Sequence, residues 1–374
     1  MEFDLIISPT NDTLHYEYLN EVSTTRQSLY VTPLFMTEPA PIVVVVFTVA
    51  LETLMVPFIL IGNGAVVMLV TKNEVLRTTT NSLMVSLATA DALQGLTLVP
   101  VIAATLDPSF LNNEFACLTL WCMLLLASGC SSLSLLLVTV DRYIKILHPL
   151  TYQQIVNTTR ASLMISSVWI YTFVIAVILP FSGWNQIRSS PSFSCLDFTG
   201  VFNSIHLQIL LMTNGIIPFV VMCLIYMRLF SVVLQKLKRD GTNLNGHRRF
   251  MKRELRSVKT FLILLGFTGL AWLPVTAIVL LEIHTKYKAS LGLRSVLSWL
   301  TFMNSAANPV VYTLRSEPFQ RAINNTTLYR FFKRCCKCRK SPRIEPSSYN
   351  TTTFPRHLGN NRESMWIITA APGQ

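Results

Sequence analysis

Seven long apolar segments limit how this chain can fold more than any other feature of its sequence. They lie near residues 42–71, 79–105, 115–147, 160–182, 204–236, 251–284 and 290–313. An α-helix needs about 20 mostly apolar residues to cross the hydrocarbon core of a bilayer, and each segment is long enough. The composition agrees, since 13% of the 374 residues are charged, against about 25% in soluble domains. The sequence predicts an all-α membrane protein built as a seven-transmembrane helix bundle.

The basic residues are divided unevenly between the two sides of this predicted bundle. If the N-terminus is outside, the exterior holds Arg26, Arg188, Lys286, Lys288 and Arg294. The other 26 of the 31 Lys and Arg then lie on the inner side, as the positive-inside rule requires. We therefore expect a multi-pass plasma-membrane protein with an extracellular N-terminus. Its net charge of +12 reflects topology and contact with membrane lipid, and no nucleic acid is expected as a partner.

Three further regions are predicted around the bundle, which takes up residues 42–313. Residues 1–41 form an extracellular tail that lacks the pattern of a signal peptide, and Asn11 fits the glycosylation acceptor pattern. Residues 314–340 contain a short amphipathic cytoplasmic helix, on which Phe319 is expected to face the lipid. A palmitoylation region follows, with candidates Cys335, Cys336 and Cys338. Residues 341–374 are expected to be a disordered cytoplasmic tail.

Two of the eight cysteines fall on the predicted exterior. Cys117 begins the third span and Cys195 lies in the loop after the fourth. Disulfides persist in oxidising compartments, so a bond between these two is favoured over the alternative of two free, buried cysteines. It would fasten the loop across the outer end of the third helix.

A carboxylate in the middle of the second span is the clearest buried ionisable group. Asp91 needs a cation, a proton or polar partners at that depth. Oxygen-bearing side chains on the third and seventh spans could join it: Ser131, Asn304, Ser305 and Asn308. Because hard cations prefer oxygen ligands, a sodium ion is expected there as an allosteric modulator. The alternative is a neutral, hydrogen-bonded carboxyl group.

The inner ends of the third and sixth spans carry a candidate switch. Asp141-Arg142-Tyr143 ends the third span, and Glu254 at the inner end of the sixth could pair with Arg142. Outward movement of the sixth helix would break that pair; the alternative is a solvated charge at the membrane edge. Three prolines inside spans, Pro218, Pro274 and Pro309, are expected to kink their helices, with Trp272 close to one kink.

Taken in order, these spans resemble a rhodopsin-like (class A) G-protein-coupled receptor, roughly from Phe47 to Phe332. The marker residues, one set on each span, are Asn63, Asp91, Arg142, Trp169, Pro218 with Tyr226, Trp272 with Pro274, and Pro309. The resemblance implies that Arg142 opens to a heterotrimeric G protein when the sixth span swings out. It also implies that Tyr226 and Tyr312 stabilise the open form, that Leu150 docks into the G protein, and that arrestin and receptor kinases are further partners.

Several stretches resemble the adenosine-receptor branch of that family. They are Glu52 eleven residues before Asn63, Val85-Ser86-Leu87-Ala88, Phe115-Ala116-Cys117, Gly183-Trp184-Asn185 and Asn304-Ser305. The pocket departs from the branch, because Val279 stands where those receptors have an asparagine, and Thr276 and Phe302 where they have histidines. The ligand residues that the resemblance implies are Glu52, Leu124, Ser128, Phe198, His206, Trp272, Val275, Thr276, Val279, Ser298, Thr301 and Phe302.

The predicted function is that of an adenosine-receptor-like receptor, which transmits an extracellular small-molecule signal to heterotrimeric G proteins. The alternative is a class A receptor for a lipid, amine or peptide, and a membrane transporter is more distant. Leu124 replaces the aspartate of aminergic receptors, which argues against amines, and Glu282 and His284 are expected to be solvated rim residues. An enzyme is not expected, since the histidines have no metal-ligand spacing.

Overall fold

Seven long helices make up most of the computed structural model, which describes residues 42–111, 113–186, 195, 198–239, 245–285, 287–315, 319–320 and 322. The helices are α1 (Ile42–Lys72), α2 (Thr79–Leu106), α3 (Glu114–Leu147), α4 (Thr158–Phe181), α5 (Ser204–Leu211, Met212–Ile216 and Ile217–Arg239), α6 (Asn245–His284) and α7 (Leu291–Arg315). Within the described ranges, the only β-type pairing is an isolated bridge between Asn185 and Phe202. The order and bounds of the seven helices agree with the seven predicted segments to within about six residues.

Six of these helices, α1 to α6, are apolar and long enough to cross a membrane when the described residues are judged by length and composition alone. The seventh, α7, has 25 residues, which exceeds the length of a span. Its composition is more polar because Asn304, Ser305 and Asn308, all buried, face the inside of the bundle. Polar residues at those positions serve interactions between helices, so they lower the hydropathy of a segment that still belongs to the bundle.

Asparagine and threonine side chains begin four of the long helices. Thr78 caps α2, Asn113 caps α3, Asn157 caps α4 and Asn203 caps α5, each by accepting a backbone N–H of the first turn. Such a cap contributes about 1 kcal/mol to helix stability. Asn157 lies in a second stretch with the glycosylation pattern, and its oxygen instead accepts the N–H of Arg160 at 2.8 Å.

Prolines lie inside more helices than the three for which the sequence predicts a kink. Pro274 and Pro309 lie inside α6 and α7 as expected, and Pro57 and Pro100 lie inside α1 and α2. In α4 and α5 the chain widens into a π-helical turn just before a proline, at Val174–Ile178 before Pro180 and at Met212–Ile216 before Pro218. A proline ring clashes with the carbonyl four residues back, and a wider turn relieves that clash.

The third helix is the central one. In its most apolar stretch 61% of the residues are buried, against 11% for α4 and 22% for α1. The outward faces of those peripheral helices carry large exposed apolar side chains such as Phe58 and Leu163, as expected of surfaces that contact lipid. Phe319 corrects one prediction: it does not face outward, because it is 1% exposed and packs into the apolar core beside Leu76 and Val66.

A disulfide bond joins Cys117 at the start of α3 to Cys195, as predicted, with their Cα atoms 5.7 Å apart. We call this the disulfide end of the bundle, and the other end of α3 the Arg142 end. The predicted tails 1–41 and 341–374, with Asn11, lie outside the described residues. So do Cys335, Cys336, Cys338 and nearly all of the predicted cytoplasmic helix.

Candidate functional site

A cavity of about 490 Å³ opens among the helices toward the disulfide end. Its size lies within the range of small-molecule sites. Cys195 lines it, and the indole N–H of Trp121 on α3 donates to the Cys195 carbonyl at 2.8 Å. The disulfide and this hydrogen bond together hold Cys195 at the cavity wall. The walls are mainly apolar, with few polar groups, as is usual where a small ligand binds.

The structure brings together eleven of the twelve side chains that were predicted to contact a ligand. Those lining the cavity are Glu52, Leu124, Ser128, Phe198, Trp272, Val275, Thr276, Val279, Ser298, Thr301 and Phe302. They come from α1, α3, the short helix Phe198–Val201, α6 and α7. These helices therefore surround one shared space, as the resemblance implied.

His206 is the exception and corrects the prediction. It is fully buried on α5, and its Nε2 lies 2.9 Å from the backbone carbonyl of Ile175. Its ring packs against Phe202 and Trp184, at centroid distances of 5.5 and 6.4 Å. The position of His206 therefore links α5 to α4, and the side chain does not reach the cavity wall.

Glu282 corrects the expectation of a solvated rim residue. Its side chain is 3% exposed and lies 3.0 Å from the guanidinium of Arg294 on α7. The backbone N–H of Ala289 and the hydroxyl of Thr199 also donate to its carboxylate, at 2.8 and 3.1 Å. Glu282 is thus a paired, hydrogen-bonded group at the cavity wall, whereas His284 is exposed as predicted.

Asp91 is fully buried and collects three hydrogen bonds from the predicted polar residues. The Ser131 and Ser305 hydroxyls donate to Oδ1 at 2.7 and 2.9 Å, and the Asn308 amide donates to Oδ2 at 2.7 Å. Asn304 is not in direct contact, because its Oδ1 accepts from Thr268 on α6. The cluster ties α2 to α3 and α7 through a single carboxylate.

Gln94 connects this cluster to the cavity, and the sequence analysis missed it. It lines the cavity, and its Oε1 lies 2.8 Å from the Ser305 hydroxyl that also contacts Asp91. A hydroxyl has one proton, so Ser305 can donate to one of these two acceptors at a time. The available signal was the position of Gln94, three residues after Asp91 on the same face of α2.

Two hydroxyl groups hold the carboxylate of Asp141 at the Arg142 end. Thr80 donates to Oδ2 at 2.8 Å, and Tyr152, in the short helix Tyr152–Ile155, donates to Oδ1 at 2.6 Å. Burial, together with the Asp141 carboxylate, raises the pKa of Tyr152 to about 12. Tyr152 therefore stays protonated, and a donor, across the physiological pH range. Thr80 was not predicted, since nothing in its sequence position points to Asp141.

The structure describes the side chains of some of the remaining switch residues and not of others. Arg142 is half-buried at the end of α3 beside Asp141, and Tyr143 packs partly into the adjacent apolar core. Tyr226 is 2% exposed and lies 3.5 Å from the Thr139 hydroxyl. Leu150 is 95% exposed, as a docking residue would be. The side chains of Glu254 and Tyr312 lie outside what the structure describes.

Comparison with known proteins gives the family. Residues 62–312 match the model of the 7 transmembrane receptor (rhodopsin family). Adenosine receptor A2b of Mus musculus is 34% identical over 291 residues, covering 73% of this chain and 87% of that protein. Adenosine receptor A2b of Homo sapiens is 31% identical over 295 residues, with the same coverage. Adenosine receptor A3 of Ovis aries is 28% identical over 306 residues, covering 78% of this chain and 92% of its own.

The matched region runs from the second half of α1 to α7 and so includes the cavity wall apart from its α1 residues, the Asp91 cluster and the Arg142 end. It spans about two thirds of the chain, and the similarity to the first of these adenosine receptors covers 73% of it. This chain is therefore a member of the rhodopsin family of seven-transmembrane receptors, and its sequence is adenosine-receptor-like.

Proposed function

We propose that this receptor binds an extracellular small molecule in the cavity at the disulfide end and signals to a heterotrimeric G protein at the Arg142 end. The observation that carries this proposal is the polar path from Gln94 in the cavity wall, through Ser305, to Asp91. A ligand that touches Gln94 would alter which acceptor Ser305 serves. In this proposal the N-terminus is extracellular and the protein resides in the plasma membrane, as the distribution of basic residues indicates.

A sodium ion is the proposed modulator of this path. The donor set fits the ion, because a carboxylate and two rotatable hydroxyl groups converge on one point. Asp91, Ser131 and Ser305 would hold it, with Asn308 close by, and Asn304 on the α6 side of the cluster. Sodium supplies a positive charge that favours one packing of α2, α3 and α7, and a ligand that favours the other packing would expel it.

At the other end, we assign the switch to Arg142 and its neighbours. Thr80 and Tyr152 occupy the two oxygens of Asp141, so these hydroxyls hold the end of α3 in place while α6 moves. Arg142 would then contact the G protein, with Leu150 as a second contact and Glu254 as the closed-state partner of Arg142. Tyr226 and Tyr312 would stabilise the open form, and the kinks at Pro274 and Pro309 would supply the hinges.

The ligand is proposed to be a nucleoside-like molecule on the strength of the relatives, which are named as receptors for adenosine. A second candidate is favoured by the cavity itself. Leu124, Val279 and Phe302 line it with apolar surface, and apolar side chains at those three positions contribute little to discrimination of a purine. A non-purine ligand is therefore the alternative.

Cyclic AMP measurements would separate these possibilities. Cells expressing the chain and mock-transfected cells would be treated with adenosine, other nucleosides, purines and small amines. Both increases and decreases of cyclic AMP would be measured. A saturable change absent from mock cells would support the proposed function. If no treatment changes cyclic AMP or any other G-protein readout despite normal surface expression, the coupling proposal is wrong.

Several modifications and partners complete the proposal. Glycosylation at Asn11 and palmitoylation at Cys335, Cys336 or Cys338 would anchor and protect the two ends of the chain. Membrane lipid would contact the exposed apolar faces of the outer helices, and arrestin and receptor kinases would act at the Arg142 end. Mass spectrometry of the purified receptor would detect the glycosylation and the palmitoylation.

A further inference from the structure

One carboxylate in the cavity wall lacks the partners that the other buried carboxylates have. Glu52 on α1 is 2% exposed and lines the cavity. Its Oε2 is buried, and Glu52 makes no hydrogen bond or ion pair with any described residue. By contrast, Asp91 accepts three hydrogen bonds, and Glu282 is paired with Arg294. Glu52 is therefore the buried acid whose charge the described part of the protein does not compensate.

No cation of the cavity wall is available to Glu52. Arg294 is the one Lys or Arg among the described residues that line the cavity, and Glu282 holds it at 3.0 Å. A buried carboxylate without a partner is costly, so the group is either compensated by something that enters the cavity or held neutral by a proton. An unpaired acid inside a membrane span is a candidate site of function for this reason.

Two further unpartnered polar atoms lie across the cavity from Glu52. The Ser128 hydroxyl on α3 and the Asn214 carbonyl oxygen in the π-helical turn of α5 are buried, line the cavity and have no hydrogen-bond partner among the described residues. These helices lie away from α1, because α1 packs against α2 and α7, whereas α5 packs against α3 and α6. Apolar side chains, including Leu124 and Val275, make up much of the remaining wall.

From this arrangement we infer that the cavity recognises a small organic amine, whose ammonium group pairs with Glu52 and whose apolar body ends in a hydrogen-bonding group at Ser128 and Asn214. The inference rests on the proposed function and narrows its ligand class. The counter-ion for the ammonium lies on α1 and not on α3, where Leu124 offers no charge. Thr48, one turn before Glu52, adds a further unpartnered hydroxyl to the same end of the cavity.

Matched pairs of probes test the charge directly. Each pair has the same body and replaces an ammonium by a hydroxyl group: tyramine with tyrosol, phenylpropylamine with phenylpropanol, and phenylbutylamine with phenylbutanol. The full chain, purified in detergent, would be heated with each probe at millimolar concentration, and Kd taken from the concentration dependence of Tm. We expect at least one amine to bind about 30-fold or more tightly than its alcohol, as a desolvated ion pair requires.

Three variants assign that preference to its residues. Glu52→Gln keeps the size of the side chain and should remove the preference for amine over alcohol. Glu114→Gln is the matched control, since that carboxylate at the start of α3 is exposed and is not among the lining residues, and it should keep the preference. Ser128→Ala should weaken tyramine and tyrosol by a similar factor, because it acts on the end that both probes share.

The inference would be overturned by equal binding of amines and alcohols to the wild type, or by no shift of Tm with any amine. A preference that survives in Glu52→Gln would also overturn it, because the charge would then be read elsewhere. G-protein activation, measured in parallel, keeps this test apart from the proposed function. Activation by adenosine without amine binding would contradict the inference alone, and amine binding without any activation would contradict the proposed function alone.

Discussion

Arg294 on α7 lies 3.0 Å from the carboxylate of Glu282 on α6, so that one ion pair joins the two helices at the mouth of the cavity. The Arg294 side chain is 24% exposed and the Glu282 side chain 3%. The carboxylate therefore depends on this partner more than the guanidinium does. Both residues also line the cavity, which makes the pair a determinant of how far α6 and α7 can separate there.

Arg294→Ala should destabilise the receptor by about 1–3 kcal/mol, because it leaves a buried carboxylate with neutral donors only. Thermal unfolding of the detergent-purified protein would measure the loss. The double variant Glu282→Gln with Arg294→Ala should lose less than the sum of the single variants Glu282→Gln and Arg294→Ala, since it removes both charges. Strictly additive effects would mean that the two side chains do not interact.

Gly62→Ala should lower the stability of the α1–α7 contact. A Cβ atom at Gly62 would lie 2.8 Å from Cγ of Pro309, and forcing side chains together in this way costs about 1–3 kcal/mol. Gly64 offers a control on the same helix, because a Cβ there meets nothing within 4 Å. Gly64→Ala should be neutral or slightly stabilising. Equal losses of Tm in the two variants would contradict the close approach of Pro309.

Asp91→Asn should abolish the effect of sodium on stability. In the wild type, replacing choline chloride by sodium chloride should raise Tm, with about 1.4 kcal/mol of stabilisation at ten times the Kd. The variant loses the charge that would attract the ion. Asp141→Asn serves as the control, since that buried carboxylate is held by Thr80 and Tyr152, and it should keep the sodium shift. A sodium shift that persists in Asp91→Asn would place the ion elsewhere.

Arg142→Ala should abolish G-protein activation while surface expression stays near the wild-type level. The half-buried side chain lies in the last turns of α3, where the switch is proposed, and it is not part of the apolar core clusters. Lys145→Ala removes a charge from the same turn region, where the side chain is exposed, and should retain signalling. Cyclic AMP and surface labelling would be measured in the same cells, and normal output from Arg142→Ala would refute the assignment.

The spans and the cavity wall could be predicted because their signals are local or motif-based. Apolar runs in the sequence locate the helix ends to within about six residues. Asp91 accepts hydrogen bonds from its predicted partners Ser131, Ser305 and Asn308. The failures concern orientation and pairing. Phe319 and Glu282 were expected to be outside but are buried by contacts with distant segments, which no helical periodicity encodes.

His206 and Gln94 illustrate the same limit from opposite sides. His206 was expected to line the cavity, yet its ring lies against the backbone carbonyl of Ile175 on α4. Gln94 was overlooked, although it lies between the cavity and Asp91. The direction of a side chain depends on helix rotation and on neighbouring helices, and a few degrees of rotation decide which wall it joins.

The π-helical turn Met212–Ile216 has a consequence for how this segment tolerates insertion and deletion. A π turn contains about one residue more than an α turn, and one residue corresponds to about 100° of rotation around the helix axis. Deleting a single residue there would leave a regular α turn that still completes about one revolution, so Ser204–Leu211 and the half after Pro218 would keep their relative orientation. Leu210 and Leu211 would then stay in the cavity wall, whereas a deletion in either regular half would rotate the residues on its two sides by about 100° relative to each other.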